Sequence, residues 1–368
     1  MENKHTIEFI KKLWPHLTAS KVESAVKESV DKNEVITFDL SSKKWVILWA
    51  RPTFKGDMDF SAELLSELQY LKLKIAFQFD NIFVMDETIY RSRSRELVWA
   101  SDVWSECQIC AFPSIKKASL WLKEQKKVWC HLGDAHLSMI KNKRRGELIG
   151  ESFKILRPNQ RREFSKPRFQ MPEYGLYGLL DQNILMSFSK TTAPNPLGQH
   201  EFVEDKDGPP SRAYLKIWEA LFAYAPVLYE KLITEKANLR CFDLGSSPGG
   251  WTWALAKIGV QVTSVDRADL DKKVLNYPNV QFHRESAFGL DPKKIEIPFL
   301  LCSDIICYPE KLLELILRWE SAGVKNFICT IKFQKETNHA IIDQFLKIAN
   351  SKIVHLYHNK HEVTFIKY

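Results

Sequence analysis

The groups best able to do chemistry in this chain are two lysines and two acids: Lys216, Asp304, Lys332 and Glu362. Asp304 and Lys332 each follow a short apolar run, Glu362 opens another, and Lys216 lies in a stretch of helical periodicity. Strand interiors make core and strand ends make sites, so the four share one edge of a predicted sheet. An amine among carboxylates can take the proton of a weak oxygen nucleophile, or as an ammonium hold the oxyanion that forms. Free lysine titrates near about 10.4. Burial and the like charge of Lys216 would lower Lys332, whereas Asp304 and Glu362 would raise it. Each residue alone reads equally well as a surface salt bridge; four at one edge do not.

A second set lies in Asp243-Leu-Gly-Ser-Ser-Pro-Gly-Gly-Trp251, between a predicted strand and a predicted helix. Gly245, Gly249 and Gly250 allow a sharp turn and close approach of backbone to a ligand. The helix that follows offers free N–H groups and a positive dipole end. The next strand closes on Asp266, where a carboxylate can accept from both hydroxyls of a nucleoside ribose. The turn lacks the G-x-G-x-x-G spacing of a dinucleotide site, which speaks against NAD.

These residues require a particular scaffold. Strands are expected at residues 240–244, 261–265, 280–283, 299–302 and 326–331, with helices at 250–258, 309–321 and 338–349 between or after them. A helix over 211–225 precedes them, with Ser211 as its N-cap. Two final strands, 352–357 and 362–367, joined at Asn359-Lys360, must add an antiparallel strand. The expected fold is α/β: a doubly wound, Rossmann-like sheet of the class I methyltransferase kind with a terminal antiparallel strand, preceded by an α+β region.

The 368 residues exceed what one core usually holds. An α+β region over 1–190 is expected, then a Pro- and Gly-rich linker at 191–210, then the sheet domain over 211–368. In the first region the strand signals are 44–50, 74–79, 81–86 and 97–112, and the helix signals 1–35, 60–71 and 115–124. No run of about 18 apolar residues predicts a membrane helix, and the N-terminal segment lacks a signal-peptide pattern; a cytoplasmic protein is expected. The net charge of +8 suits a nucleic-acid partner without requiring one. Residues 141–168 hold ten Lys or Arg against three Glu, with Phe153 and Phe164 interleaved and Phe169 adjoining. Cations for phosphates and aromatic faces for unpaired bases make this segment a candidate RNA surface. Its plainer reading is a solvated basic stretch. The seven cysteines read as reduced thiols. Cys107, Cys110, Cys130, His131 and His136 have zinc-ligand types, but Cys107 and Cys110 fall in an extended apolar run without turn residues, so no metal is expected.

The run Ser211-Arg-Ala-Tyr-Leu-Lys216, the turn at 243–251, Ser303-Asp304, Ile331-Lys332 and Leu356-Tyr-His-Asn-Lys-His-Glu-Val-Thr364 together resemble the FtsJ/RrmJ superfamily of RNA 2′-O-ribose methyltransferases. The resemblance covers about 160 C-terminal residues. It is most similar to the branch that methylates a cytidine ribose of bacterial 23S, large-subunit ribosomal RNA. The resemblance implies S-adenosyl-L-methionine as cofactor, ribosomal RNA as partner and an RNA-binding, THUMP-like module in the N-terminal half. It implies Lys216, Asp304, Lys332 and Glu362 as the catalytic tetrad, with Lys332 as proton acceptor. Ser211, Asp243, Gly245, Ser247, Pro248, Gly249, Gly250, Trp251, Asp266, Ser286 and Asp304 would line the cofactor site. Where the superfamily has an acid after its third strand, this chain has Arg284-Glu285-Ser286; Ser286 takes that place, and Glu285 substitutes only if the loop is shifted. Base methylation is the first alternative. Against it, Ser303-Asp304-Ile305-Ile306 lacks the Pro-Pro-aromatic turn of amino-N methyltransferases, and a carbon-5 mechanism needs a nucleophilic Cys302, Cys307 or Cys329. A non-catalytic RNA-binding or ribosome-assembly factor is the second; Ser286 favours it and the intact tetrad opposes it.

Overall fold

The computed structural model describes residues 3–51, 60–135, 137–157, 160–163 and 172–368. Of these, residues up to 160 together with 172–199 make one compact unit, and 161–163 with 200–368 make a second. Among the described residues no helix is long and apolar enough to cross a membrane.

The described part of the first unit contains strands β1 (Ile36–Thr37), β2 (Trp45–Trp49), β3 (Phe77–Phe79), β4 (Ile82–Asp86), β5 (Asp102–Ala111), β6 (Val128–His131), β7 (Ile155–Leu156), β8 (Tyr174–Asp181) and β9 (Ile184–Thr191). They form a single sheet in the order β3-β4-β2-β5-β9-β8-β6-β7, with β1 on β5. Helices α1 (Asn3–Leu13), α2 (Ala19–Lys32), α3 (Phe60–Tyr70), α4 (Glu87–Arg91), α5 (Ile115–Glu124) and α6 (Lys143–Gly150) complete the α+β pattern. Trp49 stacks on Trp104 at 5.8 Å in its core, and Phe188 packs against Trp104 as well. The extended run expected from residue 97 pairs as a strand only from Asp102. The buried Glu67 carboxylate takes the Val98 and Trp99 N–H groups, so that stretch is tied to α3 instead.

The described part of the basic segment divides between the two units. Its first part is α6, where Arg145 lies over the Phe112 ring and donates to the Gln182 carbonyl. Phe153 packs against core. Residues 161–163 join the second unit: the Arg162 N–H donates to Glu201 O, and Val203 N–H donates back to Arg162 O. Phe164, Lys166, Arg168 and Phe169 lie outside the described residues. The stretch expected as a linker is packed on both sides of the unit boundary. Asn195 and Leu197 are buried in the first unit, and Phe202 is buried in the second. Its Pro and Gly content gives irregular backbone, but Leu197 and Phe202 anchor it.

The second unit holds strands β10 (Arg240–Leu244), β11 (Gln261–Asp266), β12 (Val280–Arg284), β13 (Leu300–Ser303), β14 (Asn326–Lys332), β15 (Ser351–Val354) and β16 (Glu362–Lys367). Their order is β12-β11-β10-β13-β14-β16-β15. β10 through β14 run parallel, and β16 is antiparallel to both β14 and β15, as expected. The order reverses at β10 and β13, and the crevice beyond their carboxyl ends is where a doubly wound sheet binds ligands. Its helices are α7 (Tyr214–Glu219), α8 (Pro226–Thr234), α9 (Gly250–Ile258), α10 (Lys272–Leu275), α11 (Pro309–Ser321) and α12 (His339–Phe345).

Two expectations need correction. The helix read from Ser211 begins only at Tyr214, after Ala213, and Ser211 is not its cap. Residues 211–213 face α9 instead: the Trp251 indole donates to Ala213 O at 2.8 Å, and Ser211 Oγ sits against Gly250. Past Glu219 the helix widens into a π turn over Ala220–Tyr224 before Pro226 starts α8. The last two strands are not joined by a tight turn either. β15 stops at Val354 because the Tyr357 and His358 N–H groups donate to the buried Glu219 carboxylate, at 2.7 and 3.1 Å.

Candidate active site

Where β10 ends, the chain turns through Gly245 at φ +77°, a left-handed conformation that favours glycine. A Cβ there would stand 2.6 Å from the Ile305 Cβ, so the glycine also lets the segment after β13 close on the turn. The Ser303 hydroxyl fixes this contact by donating to Leu244 O at 2.8 Å. Between the two segments lies a cavity of about 460 Å³, a volume suited to a cofactor-sized molecule.

Its floor is the turn: Asp243, Gly245, Ser246, Ser247, Pro248, Gly250 and Trp251 all line it. Gly249 does not; it precedes α9 and packs toward Leu270 and Val274. Ser211 closes one side, and Asp266, Glu285 and Ser286 another. The Asp266 carboxylate is held by the N–H groups of Ser247 and Ala268, at 3.0 and 2.9 Å, which leaves further lone pairs for hydroxyl donors. The Ser211 and Ser246 hydroxyls are buried at the cavity without a protein partner. Such groups call for a polar ligand. Asp243 accepts from the Thr252 hydroxyl at 2.7 Å. Burial, with the Asp304 charge adding to it, pushes its carboxyl up to about 7.

Both candidates for the third acidic position line the cavity. The Glu285 N–H donates to Asp266 O at 3.0 Å, which brings Glu285 to the wall beside Ser286. The sequence reading missed Ala213, Ser246, Arg267, Ala287, Phe288, Ile305 and Ile306, which also line it. Their signal was adjacency: each lies within two residues of an expected position.

At the other end the two lysines and two acids meet. Lys216 Nζ donates to Asp304 at 2.8 Å and to Glu362 at 3.0 Å. Lys332 Nζ donates to the Asp304 carbonyl at 2.6 Å and lies 3.1 Å from its carboxylate. The antiparallel register of β14 and β16 sets Lys332 opposite Glu362. Asp304 and Lys332 line the cavity, and Lys216 and Glu362 stand behind them. Burial opposes the Lys216 charge, but the Asp304 and Glu362 carboxylates outweigh it and raise its pKa. Lys216 is therefore a fixed ammonium. Glu219, one helical turn beyond Lys216, was not read as a site residue; besides the two N–H groups it meets His358 Nδ1 at 2.7 Å.

The cysteines offer no nucleophile. Cys241, Cys302 and Cys329 are buried in β10, β13 and β14, and burial drives their thiols well up. Burial raises the half-buried Cys307 as well, against Lys332 and Lys311. Cys107, Cys110 and Cys130 are free thiols on β5 and β6. Among the described residues no three His, Cys, Asp or Glu side chains gather as a metal site; His136 lies outside those residues.

A doubly wound sheet with an antiparallel strand set between its last two, and a cavity at its switch point, defines the Rossmann-like class I methyltransferase fold. The comparisons agree with that fold: residues 209–356 match the FtsJ-like methyltransferase family model. The "Ribosomal RNA large subunit methyltransferase M" of Shewanella sp. (strain ANA-3) is 30% identical over 191 residues, 48% of this chain and 52% of that protein. The protein of the same name from Shewanella putrefaciens (strain CN-32 / ATCC BAA-453) matches at the same identity over the same length. The chain thus spans about half the length of the curated relatives it matches. Among solved structures, the fibrillarin pre-rRNA processing protein of Methanococcus jannaschii is 17% identical and covers 36% of this chain and 66% of its own, at a TM-score of 0.29. That likeness is too slight to carry an argument.

Proposed function

We propose that this chain is an S-adenosyl-L-methionine-dependent 2′-O-ribose methyltransferase of large-subunit ribosomal RNA. The observation that carries the reading is the meeting of Lys216, Asp304, Lys332 and Glu362 at the mouth of a nucleoside-sized cavity. Large-subunit ribosomal RNA is what the relatives' name gives; a bacterial 23S cytidine as acceptor, and a cytoplasmic place of work, are proposed from the sequence resemblance alone.

The cavity fits the cofactor on its own chemistry. Asp266 suits the two ribose hydroxyls, and Glu285 or Ser286 suits an adenine amino group. The unpartnered Ser211 and Ser246 hydroxyls and the acidic Asp243 suit the amino and carboxylate groups of the amino-acid end. When bound, the cofactor supplies an electrophilic methyl on a sulfonium. The residues of this chain must then present a ribose hydroxyl in line with it and manage one proton.

Lys332 is the cavity-side lysine, and it handles that proton: as an amine it accepts it, and as an ammonium it stabilises the oxyanion. Asp304 orients Lys332 and shares its carboxylate with Lys216. Lys216 holds that carboxylate from behind and is itself held by Glu362, so each acid at the mouth of the cavity has a lysine beside it.

The test is methyl transfer from labelled S-adenosylmethionine to an unmodified transcript of the host's large-subunit ribosomal RNA, with ribose-methyl mapping in a deletion strain. One lost 2′-O-methyl in the strain and its restoration in vitro are expected. A lost base methyl instead would establish base methylation, and no loss together with no cofactor binding would leave an RNA-binding or assembly factor.

A further inference from the structure

We propose that Ile306 and Tyr308 form the platform on which the base of the acceptor nucleotide stacks, and that the nucleotide is taken unpaired. The inference deepens the ribose-methylation reading and rests on it.

Ile306 is 84% exposed, more than any other large apolar side chain among the described residues, and Tyr308 is 56% exposed. Single exposed apolar residues are ordinary. These two stand one residue apart, directly after Asp304, and Ile306 lines the cavity mouth with Asp304 and Lys332. The backbone before them is fixed. The Ser303 hydroxyl holds Leu244 O, and Ile305 packs against Gly245. The chain therefore pins Ile305 inward and presents Ile306 outward.

Tyr308 also breaks a local rule. It occupies the N-cap position of α11, where Ser, Thr, Asp or Asn would satisfy a free N–H, and its side chain makes no cap bond. Pro309 at the next position already starts the helix. A cap left unused for an exposed aromatic points to a role outside the fold.

The chemistry of a ribose says what that role is. C2′ has two neighbours: C1′ carries the base and C3′ carries the phosphodiester. With the 2′-hydroxyl at Lys332, one flank must meet a flat apolar ring and the other an anion. The Ile306–Tyr308 segment answers the first. Lys311 and Lys332, both within electrostatic reach of Cys307, answer the second. Glu310 is the one acid in the first turn of α11. A base in a duplex has both faces stacked, so only an unpaired or extruded base can reach this platform.

The full-length protein is assayed with labelled S-adenosylmethionine on the large-subunit transcript, and then on a short synthetic RNA centred on the mapped nucleotide, made with its base and as an abasic ribose. Tyr308→Ser supplies the helix cap that Tyr308 does not and should melt no lower than the wild type. It is expected to lower kcat/KM by about tenfold, and with Ile306→Ser by up to about a hundredfold, whereas Tyr308→Phe restores most of it. Cofactor affinity of Tyr308→Ser should match the wild type. The abasic RNA should cost the wild type about as much as the double substitution costs on intact RNA, and cost the double variant little more. The platform is overturned if the double variant keeps wild-type kcat/KM, or if base removal harms both proteins equally. Those results leave ribose methylation standing; failure of the wild type to methylate any ribose removes both.

Discussion

Lys216 and Glu362, 146 residues apart in sequence, meet at 3.0 Å, and the same ammonium holds Asp304 at 2.8 Å. One lysine thus joins a helix before the sheet, the end of β13 and the start of β16. The site is a tie between three elements as well as a set of reactive groups.

Lys332→Ala should lower methyl transfer by about a thousandfold, within the range for losing a proton-handling group. Cofactor affinity, measured calorimetrically, should change by less than about threefold. Near-normal turnover would remove Lys332 from the chemistry.

Removing the Lys216 charge leaves Asp304 and Glu362 without the cation between them. Lys216→Met is expected to abolish most turnover and to lower stability by about 3 kcal/mol, the usual cost of breaking a buried pair from one side. The pH dependence has a definite sign. A lysine raised by folding stabilises fully below its unfolded pKa, and that contribution is lost as pH rises through the folded value, above 10.5. The gap between wild type and variant in denaturant melts should therefore close only in strong alkali.

Asp243 predicts a trend at lower pH. Folding lifts its carboxyl from 3.8 to about 7, so the fold gains from it fully at acid pH and loses that gain as pH climbs to about 7. Asp243→Asn keeps an acceptor for Thr252 without a charge. Relative to this variant the wild type should lose about 3 kcal/mol between pH 4 and pH 7, read by urea unfolding across that range. Parallel curves would mean that Asp243 is ionised throughout.

Glu219→Gln tests the clamp on the loop before β16. His358 loses its carboxylate partner while the backbone N–H groups keep an acceptor. A drop of about 1–2 kcal/mol in stability is expected, with turnover falling through displacement of Glu362 and cofactor affinity unchanged. Equal turnover in the two proteins would show that β16 holds Glu362 without the clamp.

The two arginines of the basic segment should now behave differently. Arg161 has a side chain 72% exposed beside Glu201, whereas Arg162 is tied in by its backbone and lies over the Phe222 ring at 5.6 Å. Arg161→Ala should reduce the salt dependence of RNA binding by about 0.7–0.9 in log–log slope and leave the melting temperature alone. Arg162→Ala should lower the melting temperature. An unchanged slope for Arg161→Ala takes that residue off the RNA surface.

The sheet of the second unit was legible because each strand is a short apolar run bounded by turn residues, and α9 and α11 matched their expected limits residue for residue. The tetrad was legible because strand ends show in a sequence. What failed was set by partners distant in the chain. Ser211 has the composition of a cap, but Gly250 and Trp251 draw residues 211–213 elsewhere. The strand expected to Tyr357 loses its end to Glu219, and the run from residue 97 yields its start to Glu67. In each case a side chain remote in sequence competes for backbone N–H groups, and no local pattern records that. The first unit was readable only element by element, because its strand order joins segments far apart.

The position of β16 has a consequence for how the molecule is made. The last strand in the sequence does not sit at an edge; it lies between β14 and β15. During synthesis β14 must wait beside an open slot while β15 emerges, and neither gains its neighbour until β16 follows. Glu362 opens that strand, so Lys216 lacks its second carboxylate until then. Nascent chains stalled before β16 should carry a formed turn at 243–251 and an incomplete cluster: the four groups come together only once β16 has been made.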